Sequence, residues 1–138
     1  SPTICRYREA VWPDPNLMGR GEHEKALIDM WSRRIEIRLM ITVAQAFRHT
    51  HPRMAAIEDQ VPEWGEVNAG RIDDRLAELN RQLDGRDWVT AGRFTNADIT
   101  GLIAVDFLRL LKRPIPEHMT ALRAWHDRVR ARPSAELK

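Results

Sequence analysis

Hydrophobic side chains in this chain recur three and four positions apart, and no segment alternates convincingly as a strand does, so the pattern predicts helices throughout. Ile4, Tyr7 and Val11 fall on one face of a short first helix that Ser1 caps and Pro2 opens. Residues 12–21 hold two Pro and two Gly and read as a linker, with Leu17 and Met18 placed to plug into a neighbouring groove. A long helix is predicted over residues 22–50. Ile28, Trp31, Ile35, Leu39, Val43 and Ala46 make one apolar stripe, and Leu27, Met30, Ile37, Ile41 and Ala44 make a second. Acidic residues lead this helix and basic residues close it, as the helix dipole favours. Its first half keeps a charged face with Arg33, Arg34, Glu36 and Arg38. Its second half is nearly apolar all round, which predicts cover on several sides.

His51-Pro52 ends that helix. The next runs over residues 62–83, with Ile72, Leu76, Leu79 and Leu83 on its core face and Asp73, Asp74, Glu78 and Arg81 outside; Asp84-Gly85 closes it. An irregular connection over 86–94 carries Trp88. Thr95-Asn96-Ala97-Asp98 then forms a capping box. The Thr95 hydroxyl accepts from the Asp98 N–H, and the Asp98 carboxylate reaches back to the N–H of Thr95. Phe94 and Ile99 stand at the two positions of a hydrophobic staple. The helix so opened, 96–111, is apolar almost all round and belongs at the centre of an all-helical domain. Arg113-Pro114-Ile115-Pro116 is a turn. A last helix over 117–131 sets Met119, Leu122, Trp125 and Val129 on one side, and Pro133 breaks it.

Composition narrows the function more than the fold. At 138 residues, 43% of them hydrophobic and 30% charged, the chain fits one domain with a sizeable core. The longest apolar segment, 39–47, has about half the roughly 18 residues that a membrane span needs, so no membrane partner is expected. The single cysteine, Cys5, excludes an intramolecular disulfide and suits a reducing, cytoplasmic compartment. The net charge is only +2, from 22 basic and 20 acidic residues that interleave along every helix. That is a solvated surface, and no nucleic-acid partner is expected.

Few side chains stand out for chemistry on their own. Asp98 reads as a cap before it reads as a catalytic group. Asp106 interrupts an apolar helix and calls for hydrogen-bonded partners. Cys5 reads as a small half-buried residue. His49 and His51, with His23, His118 and His126, have no Cys or carboxylate at ligand spacing, so no metal is expected. Arg33, Arg34 and Arg38 read equally as a solvated face and as a patch turned toward a partner subunit or an anion.

Taken in order, these features resemble a cytosolic glutathione S-transferase of the bacterial type. The resemblance rests on the Ser1-Pro2-Thr3-Ile4-Cys5-Arg6-Tyr7 helix, the Pro-rich linker and the two long helices. It rests also on Phe94-Thr95-Asn96-Ala97-Asp98-Ile99 and on the closing pattern of Trp125, Arg128, Arg132, Pro133 and Ser134. It implies an all-α fold: a helical bundle like the family's C-terminal domain, with a short remnant of a thioredoxin-like domain. By that alignment residues 1–11 are the last helix of the glutathione-binding domain, 12–21 the linker and 22–138 the helical domain. The chain would then be the C-terminal portion of an enzyme, inactive alone because the thiol-activating Tyr, Ser or Cys lies upstream.

The resemblance also implies roles. The complete protein would join glutathione, its co-substrate, to hydrophobic electrophiles, a detoxification reaction, and would act as a homodimer built partly from the long helix. Ser1 matches the serine that binds the γ-glutamyl carboxylate, and a helix N-terminus suits such an anion. Met40, Val43 and Phe47 fall where the family lines its electrophile pocket, though they read equally well as core. Several classes place a partner-subunit Asp on the γ-glutamyl amine; Ile37 stands at that position, with Glu36 beside it. The alternative is a non-catalytic interaction or ligand-binding module. An open groove beside Met40, Val43 and Phe47 would favour the enzyme, and a filled groove with a large exposed patch elsewhere would favour the module.

Overall fold

The computed structural model describes residues 2–135, and these form helices and turns without a strand. The α-helices are α1 (Pro2–Val11), α2 (Glu22–Ile35), α3 (Ile41–Thr50), α4 (Pro62–Leu83), α5 (Asn96–Asp106) and α6 (Thr120–Arg130). The expected long helix is one rod, α2 and α3 joined by a π-helical turn over Glu36–Met40. That wider turn takes an extra residue and rotates the faces on either side of it.

The core lies where α2, α3, α4, α5 and α6 converge. Ile35, Leu39, Val43 and Ala46 of the rod meet Ile72, Leu76, Leu79 and Leu83 of α4. Met119, Leu122, Trp125 and Val129 close it from the α6 side. Helix α5 runs through the middle, against α2 on one side and α6 on the other. Its closest approach is at Gly101, where a Cβ would stand 2.9 Å from the Trp125 ring. The absent side chain is what lets the indole lie against the α5 backbone.

Three expectations change. The second stripe of the rod is not covered: Ile37 is 50% exposed and Ile41 44%. Periodicity marks a face as apolar without saying what lies on it, and here one stripe suffices for the core. The central helix is α-helical only to Asp106 and continues as a tighter 3-10 turn over Phe107–Leu111, with Ile103 and Leu110 at the surface. The last helix starts at Thr120, later than predicted, and its N-cap residue Met119 makes no side-chain cap bond. Asn80 of α4 supplies the acceptor instead, taking the Leu122 N–H at 2.9 Å.

Candidate functional site

Helix α1 stands apart from the bundle. None of its residues is buried, and its apolar face of Ile4, Tyr7 and Val11 is open, Tyr7 being 69% exposed. Cys5 is exposed as well. One side chain ties the helix down. The Glu9 carboxylate accepts from the Leu17 N–H at 2.7 Å, the Met18 N–H at 2.8 Å and the Asn16 amide at 2.8 Å. Arg93 then donates to the Asn16 backbone oxygen, to Asn16 Oδ1 at 2.7 Å and to Glu24 at 3.0 Å. The side-chain bond from Arg93 holds the Glu24 carboxyl below its ordinary value. Leu17 and Met18 are half-buried, and the Leu17 carbonyl accepts from the Asn96 N–H at 2.9 Å. The middle of the linker thus lies against the start of α5. An Arg6–Asp29 ion pair adds a second tie, from α1 to α2.

Ser1, the predicted glutathione contact, lies outside the described residues. Of the predicted electrophile pocket, Val43 is wholly enclosed in the core, while Met40 and Phe47 are half-buried. The Phe47 ring lies 4.6 Å from that of His51. The main surface cavities among the described residues are lined by other residues. Met40 packs partly against the core, and Val43 is closed off within it. Ile37 offers no carboxylate, and the neighbouring Glu36 is engaged by Arg33 at 2.7 Å.

Thr95 and Asp98 form the capping box, and both are fully buried. The Thr95 hydroxyl accepts from the Asp98 N–H, as expected, and also from the Ala97 N–H at 3.3 Å, while Asp98 Oδ2 takes the Thr95 N–H at 2.9 Å. The other carboxylate oxygen does work that local sequence does not reveal. Asp98 Oδ1 accepts from the Val89 N–H and from Trp125 Nε1–H, each at 2.9 Å. One side chain thereby starts α5, fixes the loop before it and anchors α6. Burial pushes the Asp98 carboxyl above its ordinary value, against the pull of these donors.

The other singled-out groups serve packing. Asp106 is held by His126 at 3.0 Å and by Arg130 at 2.8 Å. Arg128 bonds the Asp87 carbonyl at 2.9 Å, and Arg132 lies 3.8 Å from the Phe94 ring centre. His49 accepts from the Val61 N–H at 3.1 Å and meets Gln45 at 2.9 Å, both in an ordinary loop closure. Among the described residues no three His, Cys, Asp or Glu side chains are grouped to hold a metal, and no helix is long and apolar enough to cross a membrane.

This architecture is that of a transferase helical domain. The chain matches the sequence profile of the glutathione S-transferase C-terminal domain over residues 40–133. It is 31% identical over 135 residues to glutathione S-transferase 2 of Saccharomyces cerevisiae, covering 96% of this chain and 58% of the yeast protein. The crystal structure of yeast Gtt2 superposes with a TM-score of 0.87, over 96% of this chain and 65% of that one. A glutathione S-transferase domain-containing protein of Marinobacter aquaeolei is 34% identical with a TM-score of 0.85, again over 96% and 65%. A Gtt2-class transferase of Vibrio parahaemolyticus is 29% identical with a TM-score of 0.83, over 97% and 63%. The chain belongs to the glutathione S-transferase family, and it spans roughly three fifths of the length of these relatives.

Proposed function

We propose that this chain is the helical portion of an enzyme that joins the thiolate of glutathione to hydrophobic electrophiles. In the complete protein the thiolate sulfur attacks an electrophilic carbon as the leaving group departs. A donor in a thioredoxin-like domain stabilises the thiolate. Residues 1–11 belong to that domain, 12–21 form the linker and 22–138 form the helical domain. The observation that carries this reading is α1: an apolar face of Ile4, Tyr7 and Val11 without cover, held to the bundle through Glu9. Such a face suits packing under a second domain. Ser1 then binds the γ-glutamyl carboxylate, and Met40 with Phe47 forms the electrophile wall, an adaptable apolar surface. With Ile37 in place of a carboxylate, the γ-glutamyl amine finds no partner-subunit Asp at that position. The protein is cytoplasmic and acts in detoxification.

The assay is conjugation of glutathione to an aryl halide, run on the natural gene product and on the 138-residue chain. Turnover is expected for the first and none for the second; activity in the 138-residue chain, or inactivity of a longer product that binds glutathione, overturns the reading. A Ser1→Ala change in the natural product is expected to weaken glutathione binding, and an unchanged dissociation constant rejects the role of Ser1.

One observation favours a second reading. Val43 is filled core, while Met30, Ile37 and Ile41 on the rod and Trp64 and Val67 on α4 are exposed. We read these residues as the face that meets a second copy in a homodimer. If the natural product binds no glutathione, the same face is that of a non-catalytic interaction module. Light scattering decides the dimer: an Ile37→Glu, Ile41→Glu variant is expected to be monomeric where the parent is dimeric.

A further inference from the structure

The loop that joins α3 to α4 carries the most exposed large hydrophobic side chain of the described residues, Ile57 at 76%. Val61, four positions on, is 49% exposed. Residues 57–67 hold four acids and no base: Glu58, Asp59, Glu63 and Glu66. Arg48 engages Glu58. Asp59, Glu63 and Glu66 are exposed and have no ion pair among the described residues. The loop is thus an apolar knob set among carboxylates.

A hole of opposite character lies between the end of α5 and α6, with a volume of about 350 Å³. Buried Val105 and Leu108 and half-buried Ile115 give it an apolar floor, and exposed Arg109 and Arg123 stand at its mouth. Of its two carboxylates, Asp106 is already held by His126 at 3.0 Å and Arg130 at 2.8 Å, so the mouth is net positive. The chain beside it, residues 107–113, holds three bases and no acid. Knob and hole match in sign and in shape. They are also neighbours. Arg113, at the edge of the hole, donates to the Ala69 carbonyl at 2.8 Å, one turn of α4 beyond Glu66. Two copies related by a two-fold axis can therefore each offer a knob to the other's hole, and the pair closes.

We propose that this side of the bundle pairs reciprocally with a second copy of the chain. Ile57 of each copy enters the hole of the other, and Asp59 and Glu63 meet Arg109 and Arg123. The contact is separate from the rod face of Ile37 and Ile41 and does not depend on the chain being an enzyme. Its ion pairs face solvent, so it is a salt-sensitive contact, weak at about 0.15 M salt and strong at about 0.01 M, where charges are screened over about 30 Å. The test is sedimentation velocity on the Ile37→Glu, Ile41→Glu variant, which lacks the rod face. Its mass is expected to be that of a monomer at the higher salt and to double, with a plateau, at the lower. Adding Asp59→Lys with Glu63→Lys, or Arg109→Glu with Arg123→Glu, is expected to abolish the doubling. Mixing those two charge-reversed proteins is expected to restore it, since each then carries the sign the other lacks. Ile57→Ser is expected to weaken pairing about tenfold, through the apolar burial it forfeits. Asp14→Lys with Asp84→Lys makes the same charge change away from the loop and is expected to leave pairing intact. All these side chains are exposed, so folding, checked by circular dichroism, is expected to be unchanged. The proposal is overturned if low salt leaves the mass unchanged, if the mass climbs past twofold without a plateau, if the Asp14, Asp84 variant loses pairing as the Asp59, Glu63 variant does, or if the mixture stays monomeric.

Discussion

Trp125 donates its indole N–H to Asp98 Oδ1 at 2.9 Å, across 27 residues of sequence and between two helices, with both side chains fully buried. The bond joins the cap of α5 to the middle of α6. Two of the most recognisable sequence features of this chain, the capping box and the closing Trp-Arg pattern, are therefore one structural device. Arg128 and Arg132 extend it, on Asp87 and on the Phe94 ring, so that the loop over 86–94 is gripped from both ends.

Asp98→Ala is expected to destabilise the domain by about 3 kcal/mol or more. The Val89 and Thr95 N–H groups and the Trp125 indole would each be left buried without an acceptor, at about 1–3 kcal/mol apiece. Asp98→Asn keeps one acceptor oxygen and is expected to lose roughly half as much. Urea unfolding measures both. A loss below about 1 kcal/mol for the alanine variant would reduce Asp98 to an ordinary surface-type cap.

Gly101→Ala should destabilise although alanine is the better helix former. The new methyl would sit 2.9 and 3.1 Å from two Trp125 ring carbons, in a packed core. Overpacking there costs about 1–3 kcal/mol, more than the roughly 1 kcal/mol gained in helix propensity. Gly70→Ala in α4 meets nothing within 4 Å and is expected to gain up to about 1 kcal/mol. Thermal unfolding of the two variants should move in opposite directions; a shared direction would mean that propensity or packing alone governs both sites.

Much of this fold is legible in the chain because it is built from local signals. The α4 boundaries, the core face of Ile72, Leu76, Leu79 and Leu83, and the cap at Thr95 all follow from spacing within one turn or two. What is not legible is long-range. The cap of α6 depends on Asn80, 42 positions away, and the anchoring of α1 on Glu9 meeting the backbone of Leu17 and Met18. No periodicity encodes such bonds. The same limit applies to the candidate site: spacing puts Met40, Val43 and Phe47 on one side of the rod, but only packing separates enclosed Val43 from its half-buried neighbours. Whether an apolar stripe is core or interface is decided by what lies opposite, as Ile37 and Ile41 illustrate.

Two carboxyls should shift stability with pH in opposite senses. Burial raises Asp98 in the folded state. As pH climbs from the ordinary aspartate value to that raised value, the unfolded chain gives up its proton first, so this group makes the fold less stable. Glu24 is lowered, chiefly by Arg93. Its contribution is complete above the ordinary glutamate value and disappears as pH falls through the lowered one. Unfolding measured from about pH 3 to 7 checks both. The parent's advantage over Asp98→Asn is expected to shrink with rising pH, and its advantage over Glu24→Gln to grow. An Asp98 advantage that grew instead would mean that its hydrogen-bond donors outweigh burial.

Glu9 offers a way to loosen α1 without unfolding the bundle. Its carboxylate accepts from two backbone N–H groups and one amide, while α1 itself buries no residue. Glu9→Gln preserves size but turns one acceptor into a donor facing donors, a mismatch worth about 1–3 kcal/mol. Because the hydrophobic core is untouched, the melting temperature is expected to change little. Hydrogen exchange should respond instead, with the amides of α1 and of Leu17 and Met18 exchanging about tenfold faster and those of α4 and α5 unchanged. Equal acceleration throughout the domain would mean that α1 is part of one cooperative unit with the bundle, and that Glu9 supports global stability instead of tethering a separate helix.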